Sequence, residues 1–123
     1  MTQNQTQNVA ELDHALNQMI LNGQILEAFD RYYGEDVVMA EPAGIHTGKE
    51  VNRKREEEFV GSVAQFHGAE VSAHAAGEDV TFSEWSMDIT FQDGTRKTLE
   101  QVAVRRWRGG LVVHERFYYD TAG

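Results

Sequence analysis

Val37-Val38-Met39-Ala40-Glu41-Pro42-Ala43-Gly44-Ile45-His46-Thr47-Gly48-Lys49-Glu50 reads as a short buried strand, a turn and the start of a helix. Val37, Met39 and Glu41 share one face at strand period, so Glu41 sits beside whatever Met39 packs against. Pro42 is the only proline in the chain and stiffens the turn just after Glu41. A carboxylate on an apolar face before a rigid turn is a candidate general base. The alternative is that Glu41 ends a strand and meets water. Thr47 and Glu50 fit the Thr-x-x-Glu capping box, so a helix is expected from about Gly48 to Val63.

Upstream, Val9, Leu12, Leu16, Met19 and Ile20 fall at helical spacing, and Asn22-Gly23 supplies a stop. A second short helix follows, with Ile25, Leu26, Ala28, Phe29, Tyr32 and Tyr33 apolar and Gly34 at its end. Residues 1–8 are expected to be a loose tail, and residues 9–123 a single domain. In the third helix Val51, Arg55, Phe59 and Ser62/Val63 form one stripe. Arg53–Glu57 and Lys54–Glu58 are four apart, which supports a solvated face rather than a recognition patch. Downstream of Gln65 the period changes to two. Four strands are predicted at Phe66–Gly77, Val80–Gln92, Arg96–Arg108 and Leu111–Asp120, with turns at Asp93-Gly94 and Gly109-Gly110. Three helices followed by an antiparallel meander give an α+β fold, in which one bent sheet wraps a helical layer around a cavity.

Alternation assigns the cavity face. Trp85, Met87, Ile89 and Phe91 face one way. On the next strand Leu99, Gln101, Ala103, Arg105 and Trp107 form one set and Thr98, Glu100, Val102, Val104 and Arg106 the other. Neither set is purely apolar, so both faces are expected to be covered, the convex one by a second copy in a homodimer. On the last strand Leu111, Val113, Glu115, Phe117 and Tyr119 share a face. A buried Glu115 needs a partner, and Arg105 on the neighbouring strand is the candidate.

The 123 residues suit one domain, and at 41% hydrophobic and 10% aromatic the chain has the composition of a folded core. A net charge of -9 argues against nucleic acid and against anionic membrane surfaces. With no cysteine there is no disulfide framework, thiolate nucleophile or cysteine metal site. His14, His46, His67, His74 and His114 show no metal-ligand spacing, and there is no glycine-rich phosphate loop, so no metal or cofactor is expected. His46 is either a second acid–base group near Glu41 or a solvated loop residue. With neither a signal-peptide pattern nor a membrane-length apolar run, the expected location is cytoplasmic.

The ordered set of Asn22-Gly23, Glu41-Pro42-Ala43-Gly44, Thr47-Gly48-Lys49, Gly94-Thr95-Arg96-Lys97-Thr98, Trp107-Arg108-Gly109-Gly110 and Glu115-Arg116-Phe117-Tyr118-Tyr119-Asp120 resembles the nuclear transport factor two-like superfamily. Within it the chain resembles in particular the SnoaL-like polyketide cyclase and ketosteroid isomerase branch. The resemblance implies a cone-shaped α+β barrel: three N-terminal helices packed on a strongly bent, mostly antiparallel sheet, usually dimeric and with an internal pocket. Glu41 is similar to the ketosteroid isomerase base. In that family an aspartate base works with an oxyanion hole made by a tyrosine and a protonated aspartate. Those two positions fall near Leu16 and Ala103 here, so the oxyanion hole does not carry over. Glu41, Arg105 and Tyr119 are the candidate catalytic residues, with Arg105 or Tyr119 steadying negative charge and Tyr32 a weaker candidate for that task. Leu16, Tyr32, Met39, Phe59, Trp85, Met87, Ile89, Phe91, Gln101, Ala103, Glu115 and Phe117 are the expected pocket residues for a small apolar or aromatic molecule. The expected function is proton transfer of isomerase, cyclase or dehydratase type; the alternative is a non-catalytic dimeric binding module.

Overall fold

A computed structural model describes residues 8–121. Helices α1 (Val9–Leu21) and α2 (Ile25–Tyr32) precede strands β1 (Tyr33–Glu41) and β2 (Gly44–Thr47). Helix α3 (Lys49–Ser62) leads into β3 (Val63–Ala76), β4 (Val80–Phe91), β5 (Arg96–Arg108) and β6 (Leu111–Tyr118). The sheet order is β2-β1-β6-β5-β4-β3. Only the β1–β6 pairing is parallel; the other pairs among the described residues are antiparallel. Three helices on a six-stranded sheet that stays open make the α+β fold expected from the residue pattern, with the cone shape that the resemblance implies. Register shifts in β3 between Val63 and Gln65, Phe66 and Gly68, and Val71 and Ala73 add residues to one strand only, which bends the sheet around its helices.

Local signals explain the joints. Asn8 belongs to the expected loose tail, yet its side chain accepts a hydrogen bond from the Ala10 N–H (2.8 Å) and caps α1. The rest of that tail, residues 1–7, lies outside the described residues. Gly23 at φ 83° ends α1, its N–H donating to the Ile20 carbonyl. Gly109 and Gly110, both at positive φ, make the tight β5–β6 turn.

Five expectations need correction. Tyr33 and Gly34 belong to the first strand and not to the second helix, because they already lie in the sheet beside Val112. Residues Gly44–Thr47 form a strand, since they return along β1 with Val38 opposite Thr47. That pairing also removes the capping box: Gly48 at φ 100° is the N-cap and makes no side-chain bond. Asn52 ties this corner instead, donating to the His46 and Gly48 carbonyls at 3.0 and 2.9 Å. Asn52, not the half-exposed Val51, is therefore the inward position of α3. Finally, β6 does not alternate strictly. Trp107 pairs with Val112 while Arg106 pairs with His114, so Val113 is an extra residue. This bulge sends Val112 into the core and leaves Leu111 exposed, while Glu115 stays inward.

Two apolar clusters fill the interior. Leu16, Phe29, Val37, Met39, Trp107 and Val112 pack beneath α1 and α2. Trp85, Met87, Ile89 and Ala103 pack further along the sheet, with Phe59 of α3 against them. Arg53 donates through Nε and Nη2 to Asp30, both at 2.9 Å, and also pairs with Glu57, joining the exposed faces of α2 and α3. No helix among the described residues is long and apolar enough to cross a membrane.

Candidate functional site

The cone encloses a cavity of about 270 Å³. An engineered apolar cavity of about 150 Å³ takes benzene, so this one suits a molecule of one or two rings. Its apolar wall comes from Met39, Phe59, Trp85, Met87, Leu99 and Phe117. Glu41, Arg55, Glu56, Gln101, Arg105, Glu115, Tyr33 and Tyr119 supply the polar groups.

One polar cluster is fully enclosed. Arg105 is 2% exposed and Glu115 0%. They face each other on β5 and β6, and Arg105 Nε donates to Glu115 Oε2 at 2.7 Å. Arg105 Nη1 donates to Asp13 Oδ1 (2.7 Å) and Asn17 Oδ1 (2.6 Å) on α1. The Tyr33 hydroxyl donates to Glu115 Oε1 at 2.7 Å. Behind Asp13, the Thr81 hydroxyl donates to it at 2.9 Å and accepts from Trp107 Nε1 at 2.8 Å. Burial works against the Arg105 charge, but Tyr33, Glu115 and Asp13 outweigh it and hold the guanidinium protonated. Burial, with the Glu115 charge, pushes the Tyr33 hydroxyl well above its ordinary range, so it stays a donor. One guanidinium thus neutralises two carboxylates from different layers of the fold.

The second cluster is at the end of β1. Glu41 accepts from the Tyr119 hydroxyl (2.5 Å) on Oε1, and from Arg55 Nη2 (2.8 Å) on Oε2. His46 Nε2 lies 3.2 Å from the same Oε2. The Tyr119 bond above all, aided by His46 and Arg55, holds the Glu41 carboxyl below its usual range. Glu41 in turn pushes the Tyr119 hydroxyl up. Arg55 also donates to Asn52 Oδ1 at 3.2 Å, which fixes it to the buried corner of α3.

Glu56 differs from both. It lines the cavity from α3, one turn after Asn52, and the desolvation of its half-buried carboxyl raises its pKa from 4.5 to about 7. The Glu115 charge adds to the rise, and Arg55 and Arg105 oppose it.

The structure brings Glu41, Arg105 and Tyr119 to one cavity, along with Met39, Phe59, Trp85, Met87, Gln101, Glu115 and Phe117. It does not bring Leu16, Tyr32, Ile89, Phe91 or Ala103 to that wall. Leu16, Ile89 and Ala103 are 0% exposed and belong to the packed core. Tyr32 packs edge-on to Trp107 at 6.4 Å, and Phe91 lies against the Ile89 cluster. Ile20, Ile25, Tyr33, Arg55, Glu56 and Leu99 also line the cavity. For Glu56 a signal existed: it stands four residues after Asn52 and three before Phe59, on the inward stripe. Among the described residues no group of three or more His, Asp or Glu is arranged to hold a metal ion.

Comparison with curated proteins finds no match. Solved structures do align. A candidate SnoaL-like polyketide cyclase from Mesorhizobium loti is 24% identical, with 91% of this chain and 99% of that one covered at a TM-score of 0.78. A nuclear transport factor two-like protein of unknown function from Burkholderia xenovorans is 23% identical, covering 91% and 82% at 0.72. A protein from Catenulispora acidiphila with a ketosteroid isomerase-like fold, in complex with trimethylamine, is 15% identical, covering 90% and 86% at 0.74. At these identities the likeness is one of fold. The sequence profile of the SnoaL-like domain matches residues 4–119, nearly the whole chain, and the chain belongs to that family.

Proposed function

We propose that the protein binds a small, largely apolar molecule in the cone and transfers a proton on it. The observation that carries this reading is the pairing, within one cavity, of two carboxyl groups in opposite states. Glu41 is held ionised by its donors, whereas Glu56 keeps its proton up to about pH 7. Carboxyl groups whose environments push their pKa values apart are the usual mark of acid–base work. The apolar wall excludes water and holds the carbon skeleton, while Arg55 and Gln101 offer polar contacts to a carbonyl or hydroxyl. The bound trimethylamine in the Catenulispora acidiphila protein supports a small-molecule role for this fold.

The test is a thermal-shift and native mass-spectrometry screen of one- and two-ring carbonyl compounds. A ligand at 100 times its Kd is expected to add about 2.7 kcal/mol of stability. Leu99→Trp, which fills the cavity, should abolish the shift. A screen with no binder, or a shift untouched by Leu99→Trp, refutes the reading.

The partner proposed for the convex face is a second copy of the chain. Phe82 (39% exposed) pairs with Val104, and Val102 pairs with Tyr118 (50% exposed), making one apolar stripe across β4, β5 and β6. Glu84 and Glu100 border it on one side, Arg106 and Arg116 on the other, so a two-fold axis can set acids against bases. Sedimentation equilibrium should give a dimer that Val102→Glu converts to a monomer. A monomeric parent at 50–100 μM protein (roughly 100 times a micromolar Kd) would rule the dimer out.

A further inference from the structure

We infer that Glu56 is the base that takes the proton in this site, and that Glu41 is an ionised post that positions Arg55 and Tyr119. The inference rests on the small-molecule proton-transfer reading above and assigns its reactive group.

The argument starts from lone pairs. Both Glu41 oxygens are occupied: Oε1 by the Tyr119 hydroxyl, Oε2 by Arg55 and His46. Before Glu41 accepts a proton from a ligand, at least one of these bonds must weaken. Such a carboxylate is also a weak base, because each donor stabilises its anion. The Glu56 carboxylate has no hydrogen bond or ion pair among the described residues, and it borders the cavity. Its lone pairs are open to a ligand, and desolvation strengthens the base.

The surroundings leave Glu56 the free group. From β1 it faces Tyr33 and Glu41, from β5 Arg105, from β6 Glu115, and beyond β6 Tyr119. Arg55 stands beside it on α3, and α1 and α2 contribute only Ile20 and Ile25 to this wall. Tyr33, Arg105 and Glu115 are bonded to one another, and Arg55 and Tyr119 are bonded to Glu41. Phe59 and Trp85 form the apolar wall on which a flat ring would lie.

The step balances with one group. Ionised Glu56 takes a proton from a carbon next to the ligand's carbonyl. The C–H electron pair passes into an enolate, and the protonated Glu56 returns the proton to a different carbon. No oxidant, reductant or second substrate is required, so the ligand class is an apolar carbon acid activated by a carbonyl.

The test uses 5-nitrobenzisoxazole, a flat carbon acid of suitable size. A base removes its C3 proton, the C–H pair forms the nitrile, and the N–O bond breaks to give a yellow phenolate. The parent protein should catalyse this with a kcat/KM that rises through pH 7 as Glu56 ionises. Glu56→Gln should lower kcat/KM at pH 8 at least 100-fold and erase the pH 7 step, with KM changed less than 3-fold. Glu41→Gln should cost less than 10-fold and keep the step. Retention of activity in Glu56→Gln, or its loss in Glu41→Gln alone, overturns the assignment. If the probe raises Tm but is not turned over, the Glu56 base falls and small-molecule binding stands. If it neither binds nor reacts, and the carbonyl screen finds no binder either, both fall.

Discussion

Arg105→Met is expected to destabilise the protein by about 3–5 kcal/mol at pH 7, the usual cost of stranding a buried charge. With domain stabilities of about 5–15 kcal/mol, this single change takes a large share of the total. The cost comes from what Arg105 leaves behind. Glu115 and Asp13, 0% and 4% exposed, would lose the only cation bonded to either among the described residues. Methionine fills much of the space, so the loss reads the charge more than a cavity. Urea melts followed by tryptophan fluorescence suit the measurement, because Trp85 and Trp107 are both buried. One control separates charge from packing. Adding Asp13→Asn and Glu115→Gln to Arg105→Met should recover more than half of the loss, since a buried ionic group replaced as a whole is often tolerated. A loss below about 1 kcal/mol, the scale of a surface salt bridge, would mean that water reaches the network.

The Arg105–Glu115 pair also marks how far the residue pattern could be read. Neither strand alternates cleanly, but a two-glycine turn joins them as neighbours, and a charged residue on the more apolar face of the second strand needs a partner on the first, which is what pointed from Glu115 to Arg105. Asp13 and Asn17 escaped because polar residues on a helix ordinarily mark its wet side. They share the stripe of Leu16 and Ile20, and only the tertiary position of Arg105 makes that stripe a place for polar groups. Glu56 hid within Glu56-Glu57-Glu58. Glu57 and Glu58 have cations four residues earlier, but Glu56 has Asn52 there, which is the local difference that sets it apart. In the short β2 strand burial runs against residue type, with Ile45 72% exposed and His46 half-buried, so hydrophobicity could not reveal its alternation. The β6 bulge follows from strand pairing rather than from any residue of β6 alone.

Glu56→Gln is expected to gain about 2–3 kcal/mol of stability between pH 4.5 and pH 8, relative to the parent over the same range. The folded parent keeps the Glu56 proton to about pH 7, whereas the unfolded chain releases it near 4.5. Between these values the folded state binds more protons, so its stability falls as pH rises. Below 4.5 the carboxyl is protonated in both states and the difference between parent and variant is flat. Above 7 it is ionised in both and the penalty is complete. The full interval corresponds to about 3 kcal/mol, reduced a little because the group is half-buried. The neutral amide has no such term. Carboxyls held low by their partners, such as Glu41 and Asp30, give the opposite slope, but they act equally in both proteins and cancel in the difference. Urea titrations at pH 4.5, 6, 7 and 8 would read it, and parallel curves for the two proteins would show that Glu56 titrates as an ordinary surface acid. A variant that is more stable at pH 8 yet has lost turnover would join the two results. The fold would then be keeping, at a cost to its own stability, a desolvated carboxylate whose use lies in the proton it accepts.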